Sequence, residues 1–270
     1  MSEPPEIPVE ETLAVEPTAE PEVAPAADAA PASPSAAPHR PSRSAWLWQE
    51  WIRPLLIVLT VMCVFRSALA DWNDVPTGSM KPTIVEGDRI FVNKAAYDLR
   101  VPFTLHRVMG WGDPQRGDIV VLFSPDDEKR LVKRVIGTPG DTIEVRRGRL
   151  LINGERLTYE PLERTVAQDL SPAERFSHVF EKEGLGHDGH AVMLRPYDPG
   201  THYGPIIVPP GNYFVMGDNR YASKDSRVFG FVERKRIVGQ ATLVLYSCQG
   251  CPLGLPLGPL RWGRFFHDLE

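Results

Sequence analysis

A chain of 270 residues, 42% hydrophobic and 24% charged, is long enough for one large domain or two small ones and apolar enough to bury a core. Its formal net charge of −5 argues against nucleic acid as the main partner. Its three cysteines fall short of the four ligands of a structural zinc site, and no βαβ pattern flanks them to suggest a redox motif, so neither metal nor cofactor is expected.

Residues 1–44 hold ten prolines, ten alanines, eight acidic residues and no aromatic. Such a stretch cannot bury enough apolar surface to offset its ordering entropy, so a disordered, partly polyproline tail is expected over 1–45. The composition then changes to WLWQEWIRPLLIVLTVMCVFRSALADW, residues 46–72. Its uncharged centre, 54–65, spans only roughly 18 Å as a helix against a hydrocarbon core of about 30 Å, and the flanking residues bring it close to spanning length. Arg53 and Arg66 stand near the two ends, and Trp46, Trp48, Trp51 and Trp72 suit an interfacial belt. A buried core helix and a cleaved signal with a small-x-small site at Ala68-Leu69-Ala70 are the competing readings. A retained membrane anchor over 46–72 is the one adopted. A possible self-cleavage after Ala70 follows from the same string.

From about residue 83 the text alternates in strand fashion. DRIFVNKAAY, GDIVVLFS, RLVKRVIG, DTIEVRRGRLLINGERL, GPIIVPPGNYFVMGD and RIVGQATLVLYS are separated by Gly, Pro, Asp and Asn turns. Asn153-Gly154 predicts a hairpin. The basic strings VRRGR and VERKRI read as solvated strand faces. One helix is predicted over 171–184, capped by Ser171 with Pro172 at its first position. The polar text over 158–204 reads as an insertion in a mainly antiparallel β domain running from 73 to 270. Cys248 and Cys251 form either a local disulfide or two free thiols. The C-terminal LRWGRFFHDLE suits a lipid interface.

Ser79 in DVPTGSMKPTI raises the question of a base, because a serine hydroxyl attacks only once its proton is taken. Four of the seven histidines fall in the insertion, and only His106 lies among strand-like text; all read as surface groups. Lys133 instead stands in apolar text, with Leu131 and Val135 on its own strand face. A lysine serves as base only if burial lowers its pKa toward neutrality. Gly78 permits close backbone approach and unusual φ, and Pro76 and Pro82 restrict the loop.

PTGSMKPTI, RGDIVVL, KRVIGTPGD and GDNRYASKDSRVFG, in this order behind an apolar run, resemble the boxes of bacterial type I signal peptidases, across roughly residues 50–245. The resemblance implies a mainly β fold: an antiparallel coiled β-sheet catalytic domain of signal-peptidase type, with one N-terminal transmembrane helix. It implies Ser79 as nucleophile, Lys133 as general base, and an oxyanion hole from the Ser79 N–H and the hydroxyl of Thr77, where many relatives have serine. Ser223 would orient the lysine, and Asp225 and Arg227 would form a supporting pair. Val75, Met80, Ile84, Leu131 and Val132 are candidate walls of shallow substrate pockets. The implied substrates are signal-peptide-bearing preproteins with small residues at −1 and −3, bound by β-augmentation. The implied setting is the bacterial inner membrane, spanned once, with the tail cytoplasmic and the catalytic domain outside. A non-catalytic, membrane-tethered β module would bind such peptides without turnover. A self-cleaving regulator of the repressor type would carry a DNA-binding module.

Overall fold

The computed structural model of the chain describes residues 42–104, 106–186, 188–196, 202–251 and 258–269, so the expected tail lies almost wholly outside the described residues. The chain divides into two compact units, Met1–Trp48 and Gln49–Glu270, and the architecture below belongs to the second. Its first regular element is the helix Arg53–Ala68, with Pro54 in the first turn where its missing N–H costs nothing. With the preceding turn, the run Trp48–Ala68 is 21 residues, long and apolar enough to cross a membrane. Leu55, Ile57, Val58, Val61, Met62 and Phe65 are all exposed on it. The buried-core alternative is therefore excluded. Lys94 Nζ closes the helix end by donating to the carbonyls of Arg66 (3.1 Å) and Ser67 (3.2 Å).

The helix stops at Ala68, and residue 70 already begins a strand, Ala70–Asp74, paired antiparallel with Asp88–Asn93. The expected anchor therefore ends short of 72: Trp72 is a strand residue, with the Arg66 guanidinium 4.1 Å above its ring. Asp71, 5% exposed, is held by Arg66 (3.1 Å), Lys94 (3.1 Å) and Arg130 (3.3 Å). The bond after Ala70 lies within this strand, paired with Asp88–Asn93.

The main sheet is antiparallel and runs Ala70–Asp74, Asp88–Asn93, Ile237–Ser247, Ile119–Phe123, Arg130–Gly137, Asn212–Met216, Val232–Glu233, with His267–Asp268 added alongside Ile237–Ser247. Val and Ile dominate these strands because β-branched side chains fill a pleated, buried face. Ile90, Val92, Val121, Ala241 and Val244 form one core cluster; Val120, Leu122, Val135, Val215 and Ile237 form a second. Irregular registers along Ile237–Ser247 curl the sheet. A smaller sheet, Tyr203–Ile207, Thr142–Arg146, Arg149–Ile152, Glu155–Arg156, contains the predicted hairpin, with Asn153 and Gly154 both at positive φ. Arg147 and Gly148 make a second such turn, so VRRGR is a hairpin tip rather than a solvated strand. In VERKRI, Arg234 is buried against Asp98 (2.9 Å) and Asp113 (3.0 Å).

The insertion is more ordered than its polar text predicts. Tyr159–Pro161, Val179–Glu183 and His190–Leu194 form a three-stranded sheet. The predicted helix does start at a capping box on Ser171, but it covers only Pro172–Ser177. Phe180, 2% exposed, fills a cluster with Val85, Ala167, Leu170 and Met193, and that burial takes Val179–Glu183 into a strand. Cys248 and Cys251 are disulfide-bonded, and Cys63 is free. The C-terminal string is docked: Arg264 pairs with Asp88 (2.6 Å) and Asp169 (3.2 Å), while Trp262 and Phe266 stay exposed.

Candidate active site

The loop between the first two strands carries Ser79. Val75 N donates to Asp88 O (2.9 Å) and Gly87 N to Val75 O (3.0 Å), closing its neck. Met80 and Ile84, 1% and 0% exposed, plug the loop into the core beside Val75. Ser79, directly before Met80, stays partly exposed. Asn219 holds the loop from the facing segment: its N–H donates to Ser79 O and its Nδ2 to Gly78 O, each at 3.1 Å. A trans peptide points its C=O and N–H in opposite directions, so fixing the Gly78 carbonyl also aims the Ser79 N–H away from Asn219. That N–H has no acceptor among the described residues, which leaves it available to a ligand.

Gly78 does not adopt a positive φ, so the expected unusual backbone conformation is absent. The glycine instead leaves room for the packed ends of two side chains. A Cβ there would lie 2.5 Å from Glu86 Oε1 and 2.7 Å from Lys81 Cε. Gly217 is tighter still, because a Cβ would overlap both the Ser79 carbonyl oxygen and the Ser223 hydroxyl.

Lys133 lies on the strand Arg130–Gly137 and is 1% exposed. Its Nζ contacts Ser79 Oγ at 2.5 Å and donates to Val132 O at 3.0 Å. Loss of hydration lowers its pKa to about 8; the Asp225 and Asp218 carboxylates oppose this and Arg227 adds to it. Both carboxylates are themselves neutralised. Asp225 accepts from Arg227 Nε (2.8 Å) and Nη2 (2.7 Å) and from Gly217 N (3.1 Å). Asp218 accepts from Arg134 (2.9 and 2.8 Å) and Thr83 Oγ1 (2.6 Å). Despite burial, these partners hold Asp225 below its ordinary value and Asp218 at about 2. Lys133 thus sits among paired charges, with no free carboxylate to keep it protonated.

The structure brings Ser79, Lys133, Ser223, Asp225 and Arg227 together. Ser223 Oγ is buried without hydrogen-bonding Lys133; it lies beside Asp225, whose low pKa it supports. Thr77 is exposed on the Ser79 loop. Of the candidate pocket residues, Val75, Met80, Ile84 and Val132 share one cluster, while Leu131 packs with Val120 and Val135 in another. The GDNR box already suggests that Gly217, Asp218 and Asn219 shape the site rather than react; which carbonyls Asn219 binds is legible only once the segments meet. Sequence reasoning misplaced His190, which is buried against Glu183 and Asp218 rather than on the surface. An amine that gives up its proton near pH 8, touching a hydroxyl beside an unengaged backbone N–H, is equipped for acyl transfer.

The family model described as Signal peptidase, peptidase S26 matches residues 48–246. Signal peptidase I of Pseudomonas aeruginosa is 36% identical over 214 residues, covering 73% of this chain and 72% of that protein. Signal peptidase I P of Bacillus subtilis subsp. natto is 37% identical over 198 residues, covering 73% and 88%. A solved signal peptidase I from Enterococcus faecalis V583 is 33% identical over 48% of this chain and 97% of that chain, at a TM-score of 0.31. With the family match and these identities along most of its length, the chain belongs to the signal peptidase family, peptidase S26, as a serine protease of the bacterial type I kind.

Proposed function

We propose that the chain cleaves signal peptides from exported preproteins, with Ser79 as nucleophile and Lys133 as general base. One observation carries the assignment: the Lys133 amine is 1% exposed and 2.5 Å from Ser79 Oγ. Neutral Lys133 accepts the Ser79 proton as Oγ attacks the scissile carbonyl. The resulting oxyanion is met by the Ser79 N–H and the Thr77 hydroxyl. Lys133 then returns the proton to the leaving amine as the C–N bond breaks, and water, deprotonated by Lys133, hydrolyses the acyl-enzyme. Asp225 and Arg227 hold the wall of the site, and Ser223 fills the space between them and Gly217.

The substrate's residues before the cut pair with the free edge of Ala70–Asp74 as an added strand. Val75, Met80, Ile84 and Val132, which share one cluster, wall shallow pockets that admit small side chains at −1 and −3, whereas Leu131 packs in the other cluster. The apolar helix anchors the enzyme in the inner membrane in a single pass, with the N-terminal tail cytoplasmic and the catalytic unit outside. The test is cleavage of a preprotein ending its signal in Ala-x-Ala by wild type and Ser79→Ala. Cut product with wild type and none with the variant is expected; full activity of Ser79→Ala sinks the assignment.

A further inference from the structure

The insertion over 158–204 takes no part in these steps, yet it packs on the nucleophile loop at Val85 and makes an ion pair with it at Lys81. Lys81, two positions after Ser79, is 7% exposed. Its Nζ lies 2.7 Å from Glu86 Oε2 on the same loop and 2.6 Å from Glu174 Oε1 in the insertion helix Pro172–Ser177. Glu174 is itself immobilised: its other oxygen accepts from Ser171 Oγ at 2.7 Å, and its N–H donates to that hydroxyl at 3.3 Å. A side chain so fixed sacrifices little further entropy in making a second contact.

The bridge bears directly on the catalytic backbone. The stem of Lys81 and the carboxylate of Glu86 occupy the space above the Gly78 Cα. Lys81 N also donates to Gly78 O at 3.2 Å, the same carbonyl that Asn219 Nδ2 grips. The Gly78–Ser79 peptide is therefore gripped at its oxygen by Asn219 and Lys81 N and packed at its Cα by the Lys81–Glu86 pair. Its N–H is the proposed oxyanion donor. Lys81 is no rival base: burial works against its charge, but Glu174 and Glu86 outweigh it and hold its pKa above the ordinary lysine value.

We infer that Lys81, clamped by Glu174 and Glu86, is a positioning residue that makes the insertion helix a buttress for the Ser79 N–H. This rests on the assignment of Ser79 as nucleophile, and it gives the insertion a catalytic purpose.

Glu174→Gln is the incisive variant, because glutamine also completes a capping box, so the helix start survives while the charge is lost. Lys81→Met keeps the apolar stem and removes the ammonium; Lys81→Arg restores a cation. A misplacement of about 1 Å costs up to about 100-fold in rate, so a partial slip in Glu174→Gln and Lys81→Met is expected to lower kcat about tenfold with KM within about twofold. Lys81→Arg is expected to recover most of the loss. Hydrogen exchange of the Lys81 and Ile84 amides, which bond within the loop, should accelerate in both weakened variants without any substrate present. Wild-type kcat together with unchanged exchange overturns the clamp. So does a lower Tm with both of those unchanged, which marks Glu174 as structural only. Because exchange needs no turnover, it judges the clamp even if wild type cleaves no preprotein.

Discussion

An amine stripped of water gives up its proton unless a carboxylate intervenes, and the two lysines around Ser79 divide on that point. Lys81 has two carboxylates within 2.7 Å and stays charged; Lys133 has none in contact and falls to about 8. Activity should accordingly rise with pH through about 8 as Lys133 becomes neutral. Asp225→Asn removes a charge that raises the Lys133 pKa and frees Arg227, which lowers it, so the acid limb of a kcat/KM profile should move to lower pH. Lys133→Met and Lys133→Arg should each lower kcat at least about 1000-fold, the first lacking a base and the second one that can be neutral. The same burial makes a stability prediction of opposite sign. Folded Lys133 binds its proton less readily than the unfolded chain, about 8 against 10.5, so unfolding takes up a proton between those values. The penalty is complete below about 8 and gone above 10.5, and it amounts to roughly 3 kcal/mol at most. Lys133→Met should therefore raise Tm at pH 7 while abolishing turnover, a pairing that thermal melts and kinetics check together. Lys133 was legible as a candidate because a lysine in LVKRVIG is out of place; its proximity to Ser79 was not, since 54 residues separate them.

At the scale of elements, pairing of Arg130–Gly137 with Asn212–Met216 sets Lys133 beside Gly217–Asn219, and hydrogen bonds between loops tie the Ser79 segment to them. Gly217 shows how closely they approach. Gly217→Ala would drive a methyl into the Ser79 carbonyl and Ser223, and backbone cannot yield as a flexible side chain does. It should lower kcat by about 100-fold or more, with KM the lesser change, by steady-state kinetics on a peptide substrate. Asp218→Asn attacks the same junction energetically. It leaves the buried Arg134 guanidinium without its counter-charge, and denaturant melts should show a loss of about 3–5 kcal/mol. The helix start at Ser171 was legible because capping is local chemistry. Its early end was not, because Phe180 finds a cluster made of Val85, far back in the chain, and Met193 on the paired strand. Helical and strand periodicity compete in such a stretch, and tertiary burial decides.

For the whole molecule, the run Trp48–Ala68 presents an apolar surface that the catalytic unit leaves uncovered. At 1.5 Å per residue it spans about 31 Å, which matches a hydrocarbon core. The full chain should need detergent to stay in solution, whereas a chain starting at Ala70 should partition to the aqueous phase in a phase-separation assay. Residues whose message is local were decided by the sequence itself: the apolar run, the Asn153-Gly154 hairpin, the Ser171 cap, and the ordered boxes that mark the family. Each depends on chemistry among near neighbours or on a motif carried in a few positions. What only the tertiary structure decided is where distant groups meet. It put Lys133 against Ser79, tied Asn219 to the carbonyls of Gly78 and Ser79, buried His190 and bridged Lys81 to Glu174. A pKa, an aimed N–H and a buried ion pair are properties of a surrounding, and this surrounding comes from strands and loops that lie far apart along the chain.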